Sequence, residues 1–461
     1  MDNSKANIKS YISSLIVLFV LMILTYVLTF IIPSGEYQRI INAQGNEIID
    51  ITSEFRFIDF DKLPFWKWLL SPVLVLGSEG SFTIIAVIIL LIIIGGTFGP
   101  LNECNIVRYL IDKISYKYGN QKYKLIALLV LVFMLLGSLI GSFEEVVPLV
   151  PIVVGLMVML GFDVFVGLGV SLIAVGCGFS TGIMNPFTIG VAQELAGVPM
   201  FSGVWLRIVS FVLVYALLLI CLIIYAKRVE KKDAISNIVF EKDPRLEKAT
   251  NAFLIILAVG VLLVLSSAFI KFLQDYTMII VILMFLVAGI VSCALAKMPF
   301  KTFMKSSGKN ILGVLPAVLL ILMASSIKYI LLEAKTLDTI MYYCAEFATH
   351  IPRFTVILFI YLIALLLEFF ISSGSAKAFL LIPIIVPIAQ LFNISPQLCI
   401  LAYAFGDGFS NVFYPTNPVL LISLGLNDTK YSDYMKFSYK FALINLFMTA
   451  GILLFGLMVG Y

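Results

Sequence analysis

Glu144, Glu145, Glu368, Lys377 and Asp407 sit inside segments that are otherwise apolar, and Glu194 and Arg207 lie nearer segment ends. A charge taken into hydrocarbon costs at least ~2.5 kcal/mol on the mildest scale, so each marks a place where a solute, an ion or an opposite charge is met. Two Asn-Pro pairs, Asn185-Pro186 and Asn417-Pro418, also fall in long apolar segments. Proline lacks an amide donor and expels the carbonyl four residues earlier, which frees Gly182 for Pro186, Asn411 for Pro415 and Tyr414 for Pro418. Within a membrane such carbonyls are tolerated only where something polar meets them. Ser180, Thr181, Asn185, Ser410, Asn411, Thr416 and Asn417 add uncharged polar groups beside them, suited to a bare Na⁺ or to hydrogen bonds with a solute. Beyond each break a half-helix opens with proline preset for its first turn, and its amides and positive dipole end suit a carboxylate. A simple kink uses the same residues. Two matched breaks argue for more than a kink.

These residues must be positioned by membrane helices. Of 461 residues, 61% are apolar and 13% are charged, against roughly half and a quarter in soluble domains. Apolar runs long enough to cross a ~30 Å hydrocarbon core recur from Tyr11 onward. The partners expected are the lipid bilayer and a small solute. A net charge of +4 is too small and too dispersed for a nucleic acid partner. Six scattered cysteines and one histidine, His350, give no disulfide framework and no metal site. No P-loop and no catalytic Ser/His, Asp-pair or zinc motif lies in the spans, which argues against a primary pump and an intramembrane enzyme. No cofactor is expected beyond Na⁺ or H⁺ as a coupling ion.

Spans are expected at Tyr11–Ile32, Ser81–Leu101, Val204–Ala226, Ala252–Lys271, Thr277–Ala296, Ile311–Leu331 and Phe437–Gly460. Tyr11–Ile32 is long for a signal-peptide core and reads as a retained first helix. Lys124–Leu160 and Phe354–Phe392 are each two apolar arms around a small, polar turn, Gly141–Glu145 and Ser372–Ser375, and read as re-entrant hairpins. Two ordinary spans with a watery turn are the alternative. Asp163–Gly197 is 35 residues, ~52 Å as one helix, too long for a bilayer core, so it must break or tilt. Pro396–Gly425 has the same character.

The four segments read as two copies of one unit. Pro151 precedes Asn185 by 34 residues, and Pro383 precedes Asn417 by the same 34; each copy carries Gly-Phe-Ser between, at 178–180 and 408–410. With a cytoplasmic N-terminus, loops at 102–124, 227–249, 297–310 and 427–440 and the leading residues carry 21 Lys and Arg, while outer segments carry nine, Arg207, Lys328 and Lys335 among them. This bias fits the positive-inside rule and places the C-terminus outside. The first hairpin then enters from the cytoplasm and the second from outside. Nine spans and inverted repeats follow, as in secondary transporters.

The stretches Gly-Ser-Phe-Glu-Glu-Val-Val-Pro (141–148), Gly-Phe-Ser-Thr-Gly-Ile-Met-Asn-Pro (178–186), Ser-Ser-Gly-Ser-Ala-Lys-Ala-Phe (372–379) and Tyr-Pro-Thr-Asn-Pro (414–418) resemble the YfcC-like branch of the DcuC-type anaerobic C4-dicarboxylate carriers, in the ion-transporter superfamily. The resemblance covers nearly the whole chain. It implies an all-α membrane protein of about nine spans and two re-entrant hairpins, a homodimer in the cytoplasmic membrane, and an elevator motion. Scaffold helices are expected at 1–123, 204–353 and 427–461, and transport units at 124–203 and 354–426. It further implies ion-coupled or exchange transport of carboxylates or amino acids. Substrate contacts are expected at Ser142, Glu144, Glu145, Asn185, Ser373, Ser375, Lys377, Asp407, Asn411 and Asn417, and ion coupling at Ser180, Thr181, Gly182, Ser410, Tyr414 and Thr416.

Charge bears on the substrate. Glu144, Glu145 and Asp407 against Lys377 would repel a dianion unless cations or protons accompany it. A basic amino acid fits better, its carboxylate at half-helix N-termini and its side-chain cation on an acid. A C4-dicarboxylate carried with Na⁺ or H⁺ is the second reading, and a channel is a third. Glu144 and Lys377 could instead pair across the tips, and Glu368 could cap a hairpin arm near the surface.

Overall fold

A computed structural model describes residues 2–41, 47–49, 54–59, 62–78, 81–141, 143–231, 242–267, 270, 276–348 and 350–461. Ser142 lies outside the described residues. Seven unbroken helices surround the polar segments: α1 (Asp2–Ile31), α2 (Ser81–Glu103), α3 (Val204–Val229), α4 (Pro244–Ser267), α5 (Thr277–Leu295), α6 (Phe300–Glu333) and α7 (Tyr431–Met458). Eight described helical segments are long and apolar enough to cross a membrane. Their outward faces carry exposed apolar side chains such as Ile220 on α3, Leu312 on α6 and Phe447 on α7, the pattern of helices solvated by lipid rather than water.

Segments between the apolar runs hold more structure than the apolar pattern implies. Ile106–Tyr118, read as part of a loop, is a helix with Ile106, Val107, Tyr109 and Leu110 buried; its one apolar stripe lies among charges, which an apolar-run pattern does not mark as a helix. The chain is not purely helical either. β1 (Gly35–Glu36) pairs antiparallel with β4 (Arg56–Phe57), and β2 (Arg39–Ile41) with β3 (Glu47–Ile49). Arg39 clips this region to the helix Leu337–Ala348 by a two-pronged bond to Asp338, both contacts at 3.1 Å. Phe55 stacks on Tyr342 at 4.4 Å.

The first hairpin rises through Lys122–Leu135 and a wider turn at Leu136–Ile140, reverses at Gly141, and returns through Glu144–Leu149 and Val150–Met159. The second rises through Arg353–Glu368 and returns through Gly374–Leu391, arms of 16 and 18 residues. Each adjoining helix is interrupted. One runs from Val164 to Thr181, leaves helical geometry at Gly182 (φ 41°) and resumes at Pro186; the other stops at Ser410 and resumes at Pro418. Apolar packing crosses this division. One core joins the first hairpin, its broken helix and α3 to Phe409, Val412, Val419 and Leu420 of the second broken helix, and another joins the second hairpin and the rest of its broken helix to Ile189 and Ala192 of the first.

The repeated Gly-Phe-Ser lies where backbones meet. A Cβ at Gly178 would stand 2.0 Å from the Met134 carbonyl oxygen on the first hairpin. Any larger residue there would separate the hairpin from its helix.

Candidate functional site

At each break an asparagine folds back onto the half-helix it precedes. Asn185 Oδ1 accepts from the Phe187 and Thr188 amides at 2.9 and 3.3 Å, and Asn417 Oδ1 accepts from the Val419 and Leu420 amides at 2.9 and 3.5 Å. These are N-caps, the polar closure that a helix start inside an apolar body needs. First-turn amides predicted to be open to a carboxylate are thus engaged by the asparagines. Their other ends differ. Asn417 Nδ2 donates to Asn411 Oδ1, whereas Asn185 Nδ2 is buried with no hydrogen-bond partner among the described residues.

The breaks are laced to their surroundings. Ser138 of the first hairpin accepts from Ile183 N on its hydroxyl (2.9 Å) and from Met184 N on its carbonyl (3.1 Å). Ser180 and Thr181 donate to the Cys177 and Gly178 carbonyls, and Ser410 to Gly406. Tyr414, whose carbonyl the proline rule leaves free, accepts instead from Asn417 N at 3.0 Å, because residues 411–417 close into turns. Ser138 carries no signal in the sequence; it is one small residue among many.

Between the two hairpin tips lies a cavity of about 650 Å³. Glu144 and Glu145 line it from the first tip, Ser372–Ser375 from the second, and Thr188, Asn411 and Thr416 from the breaks. The opposite wall belongs to the unbroken helices, with Ala86 and Val87 from α2 and Ser325, Lys328 and Tyr329 from α6. Thr188 and Thr416 each bring a buried hydroxyl with no partner among the described residues. The second tip is fixed by its own cap, Ser373 Oγ accepting from Ala376 N, and by Ser375 Oγ donating to the Phe187 carbonyl at 2.7 Å. In the first tip Phe143 N donates to Glu145 Oε2 at 3.1 Å. Gly141 holds φ 78°, and a Cβ there would lie 2.3 Å from Asn185 Oδ1, so only glycine fits the turn.

Lys328 is a cavity residue that the charge count assigned to the outer face. A lysine near the end of an apolar helix reads as snorkelling to the interface, and its position within Ile311–Leu331 was the available hint. Arg207, counted with it, is buried and donates to the Phe201 and Ser202 carbonyls at 3.3 and 2.9 Å.

Lys377 and Asp407 lie behind the cavity wall. Lys377 Nζ donates to Asp407 Oδ1 at 2.6 Å and to Glu368 Oε2, and all three side chains are fully shielded from solvent. Lys377 therefore pairs with Glu368 and Asp407 rather than with Glu144, and Glu368 is no surface cap. The three groups lie 9 and 30 residues apart in sequence and meet because both hairpin arms and the second broken helix converge here.

Beyond Phe370 a second, apolar cavity of about 740 Å³ opens among α1, the second hairpin, the second broken helix and α7. Phe370 is the partition that lines both cavities.

Residues 12–458 match the family described as the C4-dicarboxylate anaerobic carrier, DcuC. The chain belongs to the DcuC family. This DcuC chain is 29% identical over 405 residues to the Escherichia coli (strain K12) protein named "Putative basic amino acid antiporter YfcC", a match spanning 82% of this chain and 79% of that one. It is 21% identical over 371 residues to an uncharacterized protein of Haemophilus influenzae Rd, across 78% and 73% of the two chains. Among solved structures it is similar to the Alcanivorax borkumensis YdaH transporter, with 17% identity, a TM-score of 0.47 and 98% and 99% of the two chains covered. Similarity extends to Neisseria gonorrhoeae MtrF, with 14% identity, a TM-score of 0.44 and 96% and 94% covered. A DcuC-family chain with these helices is a multi-pass membrane transporter.

Proposed function

We propose that this transporter moves a small carboxylate-bearing metabolite, by preference a basic amino acid, across the cytoplasmic membrane by secondary active transport. One observation carries the reading: the cavity between the tips faces two acids, Glu144 and Glu145, with one lysine, Lys328, across from them. A dianion would meet two like charges for one opposite charge. A zwitterion with an added cation satisfies all three, its carboxylate on Lys328 and on the hydroxyl-lined second tip, its cationic groups on the acids. The E. coli relative's name, which describes a basic amino acid antiporter, agrees with this reading. A C4-dicarboxylate accompanied by Na⁺ or H⁺ is the second reading, favoured by the family's description.

The cavity also suggests how transport proceeds. One wall comes from α2 and α6 and the other from the tips and breaks. A unit of hairpins and broken helices sliding as an elevator along a scaffold, in a homodimer, would carry the solute past a fixed wall. The reading is tested on purified protein by thermal shift with arginine, ornithine, lysine, succinate and fumarate, at several pH values with and without Na⁺. Stabilisation by the basic amino acids supports it; stabilisation by succinate or fumarate alone gives the place to the dicarboxylate reading.

A further inference from the structure

Glu368, Lys377 and Asp407 form a set of two acids and one base whose side chains have no solvent exposure. If all three were ionised the set would hold one uncompensated negative charge at membrane depth, which is expensive. The hydrogen bonds show where the imbalance sits. Lys377 engages one oxygen of each acid, while Glu368 Oε1 and Asp407 Oδ2 are buried with no hydrogen-bond partner among the described residues.

We infer that the triad is the transporter's proton site, with one proton shared between Glu368 and Asp407 and exchanged with the cavity through Asp407 Oδ2. This deepens the proposed function by naming its coupling ion. Direction follows from placement. An ideal Cβ on Gly374 would lie 3.0 Å from Asp407 Oδ2 and 2.6 Å from Thr188 Cγ2, and both Gly374 and Thr188 line the cavity. The unpartnered oxygen thus lies against the glycine of the second tip, which itself lines the solute cavity. The other titratable groups facing Asp407 are Tyr403, whose hydroxyl donates to the Gly374 carbonyl at 2.5 Å, and Glu144 on the first tip. The step is a plain acid–base transfer: cavity water delivers H⁺ to the carboxylate oxygen, an O–H bond forms, and Lys377 stays an ammonium. When the second tip lifts toward the other face, the same bond breaks and the proton returns to water.

Infrared spectroscopy of the purified full chain, without any substrate, reads the proton directly. At neutral pH the wild type should show the C=O stretch of a protonated, buried carboxyl, shifted in D₂O. Asp407→Asn and Glu368→Gln each leave a neutral acid–lysine pair and should lose the band, whereas Lys377→Met should raise its area about twofold, since two acids without a cation both hold protons. A missing wild-type band overturns the proposal, as does a band retained in both folded acid variants. If neither variant folds, a Glu144→Gln/Glu145→Gln double variant decides: a surviving band supports the triad and a lost band assigns the proton to the first tip. In vesicles, accumulation of labelled arginine driven by a pH gradient should lose its gradient dependence in Asp407→Asn and Glu368→Gln; gradient dependence retained in both removes the triad from coupling. No arginine accumulation by the wild type overturns the substrate reading and leaves the infrared result standing.

Discussion

Gly408 lies directly on the backbone of Ser180: a Cβ at position 408 would stand 2.3 Å from both the Ser180 amide nitrogen and its Cα. The two broken helices cross at this point, so the Gly-Phe-Ser of the second copy touches the Gly-Phe-Ser of the first. Contact this close admits no methyl group without parting the helices, and overpacking of this kind costs about 1–3 kcal/mol. Gly408→Ala should lower the thermal unfolding midpoint of the purified protein. Gly313→Ala on α6, where nothing lies within 4 Å, should leave it unchanged. Equal midpoints for both variants would deny the crossing.

The breaks were legible because proline has one physical effect and the 34-residue spacing repeated it. The hairpin turns were legible for a similar reason, since glycine and serine interrupt otherwise unbroken apolar arms. Pairings between distant residues were not. Nothing in the spacing of Glu368 and Asp407 says that Lys377 will bridge them, because their meeting depends on how three helices converge. That Lys328 lines the cavity was not legible either, because a charge count does not say which way a helix face turns. Tyr414 was misread because the proline rule frees a carbonyl but cannot see a turn amide return to it.

The asparagine caps separate a structural role from a binding role. Asn417→Ala and Asn185→Ala should each lower stability by about 0.5–2 kcal/mol, the usual loss for a removed cap, and serine at either position should restore most of it. The two sites then diverge. Asn185 Nδ2 has no hydrogen-bond partner among the described residues, so Asn185→Ser should recover the unfolding midpoint yet still bind arginine less well than the wild type. Full recovery of both would confine Asn185 to capping.

Orientation is open to thiol labelling in a cysteine-free background. Cysteine at Lys113 or Lys301 should react with a membrane-impermeant reagent only from the cytoplasmic face, and cysteine at Lys335 only from outside. Lys335 is exposed and paired with Glu36 at 2.8 Å, so the ion pair its replacement removes is a surface one. Reversed labelling at any two positions would overturn the inverted arrangement of the hairpins.

Glu144 and Glu145 should select for charge on the solute. Removing one partner of a buried charge pair costs about 2–5 kcal/mol, and the half-buried setting of these acids puts the expected loss just below that range, on the order of tenfold in affinity. Glu145→Gln should therefore weaken arginine or ornithine binding about tenfold, measured by titration calorimetry. Succinate should bind no more weakly than before, because a like charge has gone. A parallel loss for both ligands would mean that Glu145 shapes the tip rather than reading charge.

Lys328 lies on the α6 wall of the same cavity and is its cationic side chain among the described residues, which makes it the group to read the solute's carboxylate. Replacement by glutamine keeps a polar side chain of similar reach and removes the charge. Binding of every ligand with a carboxylate, arginine and succinate alike, should then weaken, by about tenfold for the loss of one charge-assisted contact. Agmatine, which is arginine without its carboxylate, provides the control: it meets the acids but offers Lys328 nothing, so its affinity should hold or rise as the repulsion between two cations is relieved. Comparison of the three ligands in Lys328→Gln separates the possible origins of any effect. A loss confined to arginine and succinate places the carboxylate on Lys328, while an equal loss for agmatine would show that Lys328 supports the wall and that the carboxylate lies elsewhere, with the second tip at Ser373 and Ser375 the next place to look.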